Sequence, residues 1–141
     1  MLVRGTSMWA KVFEGYPNAL SGKYQVDICN LDKNTVAELN NVGVNVKSDP
    51  EKGDFVTAKG VFAPKVFDAS KQIWDVKKAI GNGSTIKVSA KPYDWTFKGK
   101  SGVGLGLNQL MVVKLVEYSL DELEPEEGEG GFEDIELDDE I

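Results

Sequence analysis

Residues 80–118 read IGNGSTIKVSAKPYDWTFKGKSGVGLGLNQLMVVKLVEY and carry the clearest structural signals of this 141-residue chain. The stretch opens with IGNGS (80–84), where the pair Asn82-Gly83 is a strong turn signal because both residues tolerate a positive φ. In the following TIKVSAK (85–91), apolar residues alternate with lysine and serine, which is typical of a half-buried strand. We therefore expect a strand that begins directly after a turn.

The rest of this stretch changes character twice. PYDWTFKGKSGVGLGL (92–107) is first aromatic at alternate positions and then rich in glycine, which indicates a turn-rich stretch. The spacing of Gly102, Gly104 and Gly106 puts them on one face of a strand, where a backbone or a ligand can approach closely. NQLMVVKLVEY (108–118) is apolar on both parities, which predicts a strand covered on both sides.

The remaining elements are mostly strands. Alternation predicts strands at residues 8–14, 23–29 and 54–62. One helix is predicted at residues 32–42, with Asp32 as the N-cap and Gly43 as the stop signal. A second short helix at residues 71–79 stays open. About five strands and one helix favour an all-β fold, a five-stranded Greek-key barrel of the OB-fold type.

The composition argues against an enzyme. The chain has no histidine and one cysteine, so imidazole chemistry and a tetrahedral zinc site of the usual kind are excluded. The body carboxylates form no compact metal motif, and Gly99-Lys100-Ser101 does not complete a phosphate-binding loop because Asp94 stands where its first glycine is required. We expect no catalytic residue, no metal and no cofactor. The single Cys29 fits a reducing compartment, and no stretch is long and apolar enough to span a membrane.

Charge divides the chain into two parts. Residues 121–141 contain 12 Asp or Glu and no base, whereas residues 1–120 contain all 16 Lys and Arg and only 11 acids. The tail is near −12 and the body near +5, an asymmetry that points to a nucleic-acid or membrane partner. We predict a folded domain at residues 1–120 and a disordered acidic tail at residues 121–141.

Basic and aromatic residues alternate in several predicted strands of the body. Single-stranded nucleic acid is bound by flat rings that stack on bases and by lysines that follow the phosphates. Lys87 and Lys91 share one parity of their strand, so they should project from one face. The predicted DNA-binding residues are Lys11, Lys59, Lys87, Lys91, Tyr93, Trp95, Lys98 and Lys100.

Aromatic residues in a small barrel also form its core. For Trp9, Phe13, Phe55 and Phe62 the core interpretation is favoured, whereas for Tyr93 and Trp95 stacking and core stay open.

The tail also contains apolar residues near its end. This pattern is typical of a short linear motif that docks on a basic, apolar groove. A plain solubility tail is the alternative. The predicted partner-binding residues are Phe132, Ile135, Leu137 and Ile141.

Four segments together resemble the single-stranded DNA-binding proteins of tailed bacteriophages, of podovirus type: WAKVF (9–13), IGNGS (80–84), YDW (93–95) followed by GKSGVGL (99–105), and LVEY (115–118) before the acidic tail. The resemblance spans essentially the whole chain. It implies an OB-fold whose groove binds single strands without sequence preference.

The resemblance also implies a role in DNA replication, recombination and repair in the cytoplasm of an infected host cell. The tail would recruit the phage DNA polymerase and helicase/primase and compete with DNA for the groove, while both a monomer and a homodimer stay open. An alternative from the charge pattern is a DNA-mimic or inhibitor protein that acts through the acidic tail. The basic, aromatic body weighs against this alternative because a mimic needs no base-binding surface.

Overall fold

The computed structural model describes residues 1–75 and 78–116 of the chain. Its elements follow the order β1 (Leu2–Lys11), β2 (Tyr24–Cys29), α1 (Lys33–Asn41), β3 (Lys47–Asp49), β4 (Gly53–Gly60), β5 (Lys65–Phe67), β6 (Thr85–Phe97) and β7 (Lys100–Lys114). The tail residues 121–141, with the predicted anchors Phe132, Ile135, Leu137 and Ile141, lie outside the described residues.

Five strands close a barrel in the order β1, β2, β4, β7, β6 and back to β1. All neighbours are antiparallel except β4 and β7, which run parallel and close the ring. The short strands β3 and β5 extend the sheet beside β4 and β7. The predicted all-β, five-stranded OB-fold barrel with one short helix is thereby confirmed.

The core fills the barrel with one parity of each strand. Val3, Val26, Ile28, Ile86 and Val88 are fully buried there, and their neighbours on the other parity point outwards. A ring closed in this way leaves no free edge among its five strands. Outer positions of β1, β4 and β6 are exposed or partly exposed, whereas Asp27 and Cys29 on the outer side of β2 are buried.

Helix α1 forms where the sequence predicts it. The Asp32 carboxylate accepts a hydrogen bond from the Thr35 backbone N–H at 2.7 Å, as an N-cap does. This hydrogen bond lowers the pKa of Asp32 below its ordinary value. Gly43 follows the helix with a φ of 88°, and Leu39 is buried against the barrel.

Strand β1 begins six residues before the predicted segment 8–14. Its early inward positions include Gly5 and Ser7, which carry no apolar signal. A Cβ at Gly5 would lie 2.5 Å from the Cys29 carbonyl oxygen, and the Ser7 hydroxyl donates to the Gly81 carbonyl at 3.3 Å. The inward positions of this part of β1 have room only for small residues. The alternation of apolar and polar residues that predicts a strand is therefore missing from the sequence here.

The alternative helix at residues 71–79 is not formed in the part of that segment that the structure describes. Instead, β5 begins directly after Pro64 and pairs with β7, and Ile73 bridges back to Phe67. Proline is compatible with this position because it precedes the first residue of a short edge strand.

Candidate nucleic-acid interface

The β6–β7 hairpin extends past the barrel as an arm, which we define as residues 91–106. The predicted turn-rich stretch is in fact two paired strands. The two strands are joined by a two-residue turn, Lys98-Gly99, with φ values of 50° and 78°. Positive φ at both positions is what a type I′ hairpin turn requires. The aromatic residues therefore lie on a regular strand and not in a loop.

Three aromatic side chains occupy one face of this arm. Tyr93, Trp95 and Phe97 alternate along β6, so their side chains point to the same side. They are 44%, 41% and 66% exposed. For Tyr93 and Trp95, which the sequence left open between core and surface, the structure resolves the position as surface.

Glycines lie directly across the strand pair from two of these rings. Tyr93 pairs with Gly104, and Trp95 pairs with Gly102. A Cβ at Gly104 would lie 2.7 Å from the Tyr93 ring, and one at Gly102 would lie 2.7 Å from the Trp95 ring. The rings thus cover the glycine backbone and leave no room for a side chain between them. The close approach expected at these glycines is made by the aromatic rings of the chain itself.

The other face of the arm is held by the segment after α1. Val103 forms a parallel bridge with Val44, and a Cβ at Gly43 would lie 3.1 Å from Val103 Cγ2. Val44 and Leu105 are buried. These contacts attach the root of the arm to the barrel while the aromatic face stays free.

A row of outward positions crosses the barrel beside the arm. The strand registers align Lys11 with Gln25, Gln25 with Lys59, Lys59 with Gly106, and Gly106 with Lys91. We call these five positions the lysine row. Its three lysines are exposed. Lys59 and Lys91 flank Gly106 and are two strand spacings apart, about 10 Å between backbones.

The arm tip adds two more cations. The Lys98 ammonium lies 5.2 Å from the centre of the Phe97 ring, and Lys100 opens β7 opposite Phe97. The structure therefore brings Lys11, Lys59 and Lys91 into one row, and places Lys98 and Lys100 at the end of the aromatic face.

Lys87 is not part of this arrangement. It lies on the outer side of β6 four residues before Lys91, paired with Arg4 on β1 and Met111 on β7. It lines a separate groove together with Phe67 and Met111. Lys87 and Lys91 lie on the same parity of β6, as predicted. Lys87 lies between Arg4 of β1 and Met111 of β7, whereas Lys91 pairs with Gly106 of β7 in the lysine row.

Two aromatic residues that the sequence assigned to the core are exposed. Trp9 is 57% exposed and Phe62 is 83% exposed. Trp9 lies in a bulge of β1 with a φ of 53°. Its backbone N–H donates a hydrogen bond to Asn82 Oδ1 at 2.9 Å. The bulge changes the parity of β1 after Met8, which a strict alternation does not detect.

The other two aromatic residues of that group are partly buried. Phe13 packs against the core, as predicted. Phe55 is partly buried too, and the Lys52 ammonium lies 4.6 Å from its ring centre.

One acid on the outer side of β2 is already neutralised. Asp27 accepts hydrogen bonds from Lys52 Nζ at 2.8 Å and from the Thr57 hydroxyl at 2.7 Å. Burial by itself lowers the pKa of Lys52. The hydrogen bond to Asp27 and the charge of that carboxylate outweigh this effect, so the pKa of Lys52 is raised above its ordinary value. Lys52 therefore forms an ion pair with Asp27.

No group of three or more His, Cys, Asp or Glu side chains in residues 1–75 and 78–116 is arranged to hold a metal ion. Within the same residues, no helix is long and apolar enough to cross a membrane.

Comparison with solved structures identifies a shared fold. The single-stranded DNA-binding protein of bacteriophage Enc34, in a C-terminally truncated form, superposes with a TM-score of 0.63 at 14% identity, over 82% of this chain and 84% of that one. The same Enc34 protein in complex with ssDNA gives a TM-score of 0.62 at 12% identity, over 82% and 85%. The single-stranded DNA-binding protein gp2.5 of bacteriophage T7 gives 0.59 at 18% identity, over 93% and 98%.

The chain matches no protein-family model and no curated protein. At these identities the likeness defines the class of fold, an OB-fold barrel similar to those of phage single-stranded DNA-binding proteins.

Proposed function

We propose that this chain is a non-catalytic protein that binds single-stranded DNA without sequence preference. The observation that carries the proposal is the aromatic face of the arm, where Tyr93 and Trp95 cover glycines and expose their outer sides. A base that stacks on a ring contributes about 1–3 kcal/mol, whichever base it is. Such a face suits the bases of a single strand, because in a duplex the faces of each base are already stacked on the neighbouring base pairs.

The lysine row supplies the complementary contacts. Gly106 pairs with both Lys59 and Lys91, and a Cβ built on it would lie 3.7 Å from Tyr93 Cδ1, so the lysine row adjoins the aromatic face at Gly106. A strand whose bases lie on the arm therefore passes its phosphates over these lysines. The surface we propose for DNA consists of Lys11, Lys59, Lys91, Tyr93, Trp95, Lys98 and Lys100.

The fold supports the same function. OB-fold barrels bind oligonucleotides on the face of their second and third strands and with the adjoining loops. Here those strands are β2 and β4, which contribute Gln25 and Lys59 to the lysine row. The solved relatives include one bound to ssDNA.

For the acidic tail we propose the recruitment of replication proteins, a DNA polymerase and a helicase/primase, in the cytoplasm of an infected host cell. The support is its composition, 12 acids with Phe132, Ile135, Leu137 and Ile141 near the end. Acidic segments with apolar anchors suit basic, apolar grooves. The roles in replication, recombination and repair follow from this recruitment.

Titration with oligo-dT, followed by intrinsic tryptophan fluorescence or by anisotropy of a labelled oligonucleotide, tests the proposed surface. Trp95→Ala should weaken ssDNA binding about 5- to 150-fold, the loss of one stacked base. Trp95→Phe is the matched control, since it keeps a flat ring and should retain most of the affinity. Duplex DNA of the same length should bind far more weakly than oligo-dT. Unchanged affinity in Trp95→Ala would contradict the proposed stacking surface. A wild-type chain that does not bind oligo-dT would contradict the proposed function and favour the DNA-mimic alternative.

A further inference from the structure

A second groove lies on the outer side of the barrel, where β1, β6, β7 and β5 run side by side. We call it the side groove, and its volume is about 280 Å³. Two rows of outward residues cross it, one of Leu2, Ser89 and Gln109, the other of Arg4, Lys87, Met111 and Phe67. The side groove therefore belongs to the same sheet that carries the arm.

The side groove lies in line with the aromatic face along one strand. Lys87, Ser89, Lys91 and Tyr93 alternate along the outer side of β6, and the residues between Lys87 and Lys91 on the other parity face the core. The register shift near Ser89 adds its extra residue to β7, so β6 keeps its alternation. Lys87 and Tyr93 are about 20 Å apart along the strand. A polymer that passes Lys91 from the arm thus enters the side groove without leaving β6.

Four cations surround the side groove. Lys71 and Lys87 line it, Arg4 lies beside Lys87 on β1, and Lys65 lies beside Gln109 of β7. Within residues 1–75 and 78–116, no carboxylate forms an ion pair with any of these four side chains. The groove therefore presents positive charge that attracts a polyanion.

The turn that carries Lys71 also contains an acid, Asp68. One oxygen of its carboxylate accepts hydrogen bonds from the backbone N–H groups of Ser70 and Gln72, each at 2.9 Å. The Asp68 carbonyl accepts a further bond from the N–H of Lys71 at 2.9 Å. Lys71 has a φ of 66° in this turn, a conformation that residues other than glycine rarely adopt. The turn thus fixes the backbone of Lys71 beside the groove, while the acid is engaged with backbone amides.

Apolar surface lies between these cations. Leu2 is 63% exposed, and Phe67 and Met111 are partly exposed in the same groove. Single-stranded nucleic acid combines both properties, since its phosphates carry charge and its bases have flat faces that stack on rings. An uncharged apolar partner would leave the four cations without counter-charges. The position of the groove in line with the aromatic face favours a DNA strand over an acidic peptide.

We propose that the side groove is a second subsite for the same DNA strand that binds the aromatic face. Beyond Lys91 the phosphates of the strand lie near Arg4, Lys87 and the cations of the opposite wall, and a base rests against Phe67. The distance of about 20 Å along β6 corresponds to about six nucleotides at the spacing of a duplex, and to fewer in an extended strand. The subsite rests on the proposed function, and it lengthens the segment of DNA that one chain covers.

Oligo-dT of two lengths, titrated against the full chain, tests the subsite. The rings from Tyr93 to Phe97 span about 14 Å, which about 4 nucleotides cover at duplex spacing. The short oligo-dT, about 4 nucleotides, should therefore bind on the aromatic face alone. The long oligo-dT, about 16 nucleotides, is at the upper end of the site sizes of OB-folds and should extend into the side groove.

The variant Lys71→Asn/Lys87→Gln removes two of the four cations. Asparagine tolerates the positive φ at position 71, and glutamine keeps most of the side chain at position 87. The variant should bind the long oligo-dT more weakly, and its slope of log affinity against log salt should shrink by about 1.4, about 0.7 for each lysine. Its affinity for the short oligo-dT should be unchanged. Lys33→Gln/Lys47→Gln, which changes two exposed lysines on α1 and β3, is the matched control and should alter neither affinity.

Amide resonances of the isotope-labelled wild-type chain give an independent measurement. The long oligo-dT should shift the amides of Lys87, Ser89 and Met111 in addition to those of the arm. The short oligo-dT should shift the amides of the arm alone.

Three results would overturn the subsite. If the variant Lys71→Asn/Lys87→Gln binds the long oligo-dT with unchanged affinity and slope, the DNA does not enter the side groove, and the aromatic face remains as the binding surface. Equal losses for the short and the long oligo-dT would mean a general effect of net charge. A wild-type chain that binds neither length would remove the proposed function and the subsite together.

Discussion

Glycine at positions 102 and 104 lets two aromatic rings lie against the backbone of the neighbouring strand, because a Cβ there would overlap the ring atoms. A ring held in this way loses little further freedom when a base stacks on its outer side, and this preorganisation favours binding. The glycines therefore contribute to the proposed interface without contacting DNA themselves.

Gly104→Ala tests this role. The new Cβ would lie 2.7 Å from Tyr93 Cζ and Oη, so the ring must move, and we expect ssDNA affinity to fall by up to the contribution of one stacked base, about 1–3 kcal/mol. The control is a double-mutant cycle with Tyr93→Ala, measured by oligo-dT titration. If Gly104 acts through the Tyr93 ring, the alanine adds little once the ring is gone. Additive losses in the cycle, with unchanged thermal melting, would refute the coupling.

The arm and helix α1 depend on each other although 50 residues separate them in sequence. The segment after α1 pairs with the inner face of the arm through Val44 and Val103, and Gly43 lies directly beneath Val103. The arm would otherwise be a two-stranded hairpin, which is marginally stable in water. Packing against the helix end thus keeps the aromatic face extended.

Gly43→Ala measures this contact. Its φ of 88° costs an alanine about 1–2 kcal/mol, and the Cβ adds a contact of 3.1 Å with Val103 Cγ2. Gly22→Ala is the matched control, since its φ of 71° carries a similar strain and no atom lies within 4 Å. We expect a larger loss of unfolding free energy for Gly43→Ala, measured by chemical denaturation, and faster hydrogen exchange in the arm. Equal losses of unfolding free energy in the two variants would mean that the Val103 side chain moves away from the new Cβ without destabilising the protein.

Charge acts on the molecule as a whole. The body has a net charge near +5 and the tail one near −12. A DNA strand and the tail are therefore both attracted electrostatically to the basic surfaces of residues 1–120. Each phosphate neutralised on single-stranded DNA contributes about 0.7 to the slope of log affinity against log salt concentration. The net affinity therefore depends on the whole charge distribution.

A chain ending at residue 120 tests this balance against the full chain. Removal of residues 121–141 should leave ssDNA affinity unchanged or raise it, because a tethered competitor of charge −12 is lost. In both forms the logarithm of affinity should fall linearly with the logarithm of salt concentration. Lys59→Ala should reduce that slope by about 0.7, whereas Lys47→Ala, outside the proposed surface, should not. Affinity that is indifferent to salt would contradict a phosphate-binding surface.

Much of the fold was accessible from local patterns. Alternation in residues 23–29 and the capping signals at Asp32 and Gly43 act over a few residues, so β2 and α1 occur as predicted. The length of β6 and β7 was missed because alternating glycines look like a loop until the rings of Tyr93 and Trp95 fill the space above them. The early part of β1 was missed because Gly5 and Ser7 face a crowded interior.

The candidate site divides in the same way. Amino-acid order alone determines the charge of body and tail and the absence of histidine. The common face of Tyr93, Trp95 and Phe97 follows only once the structure shows that β6 extends through them as a regular strand. Barrel closure places Lys59 beside Lys91 and Lys87 away from both, and the bulge in β1 exposes Trp9. Those relations depend on which strands become neighbours and in what register, and pairing between strands 30 to 80 residues apart leaves no periodic trace in the chain.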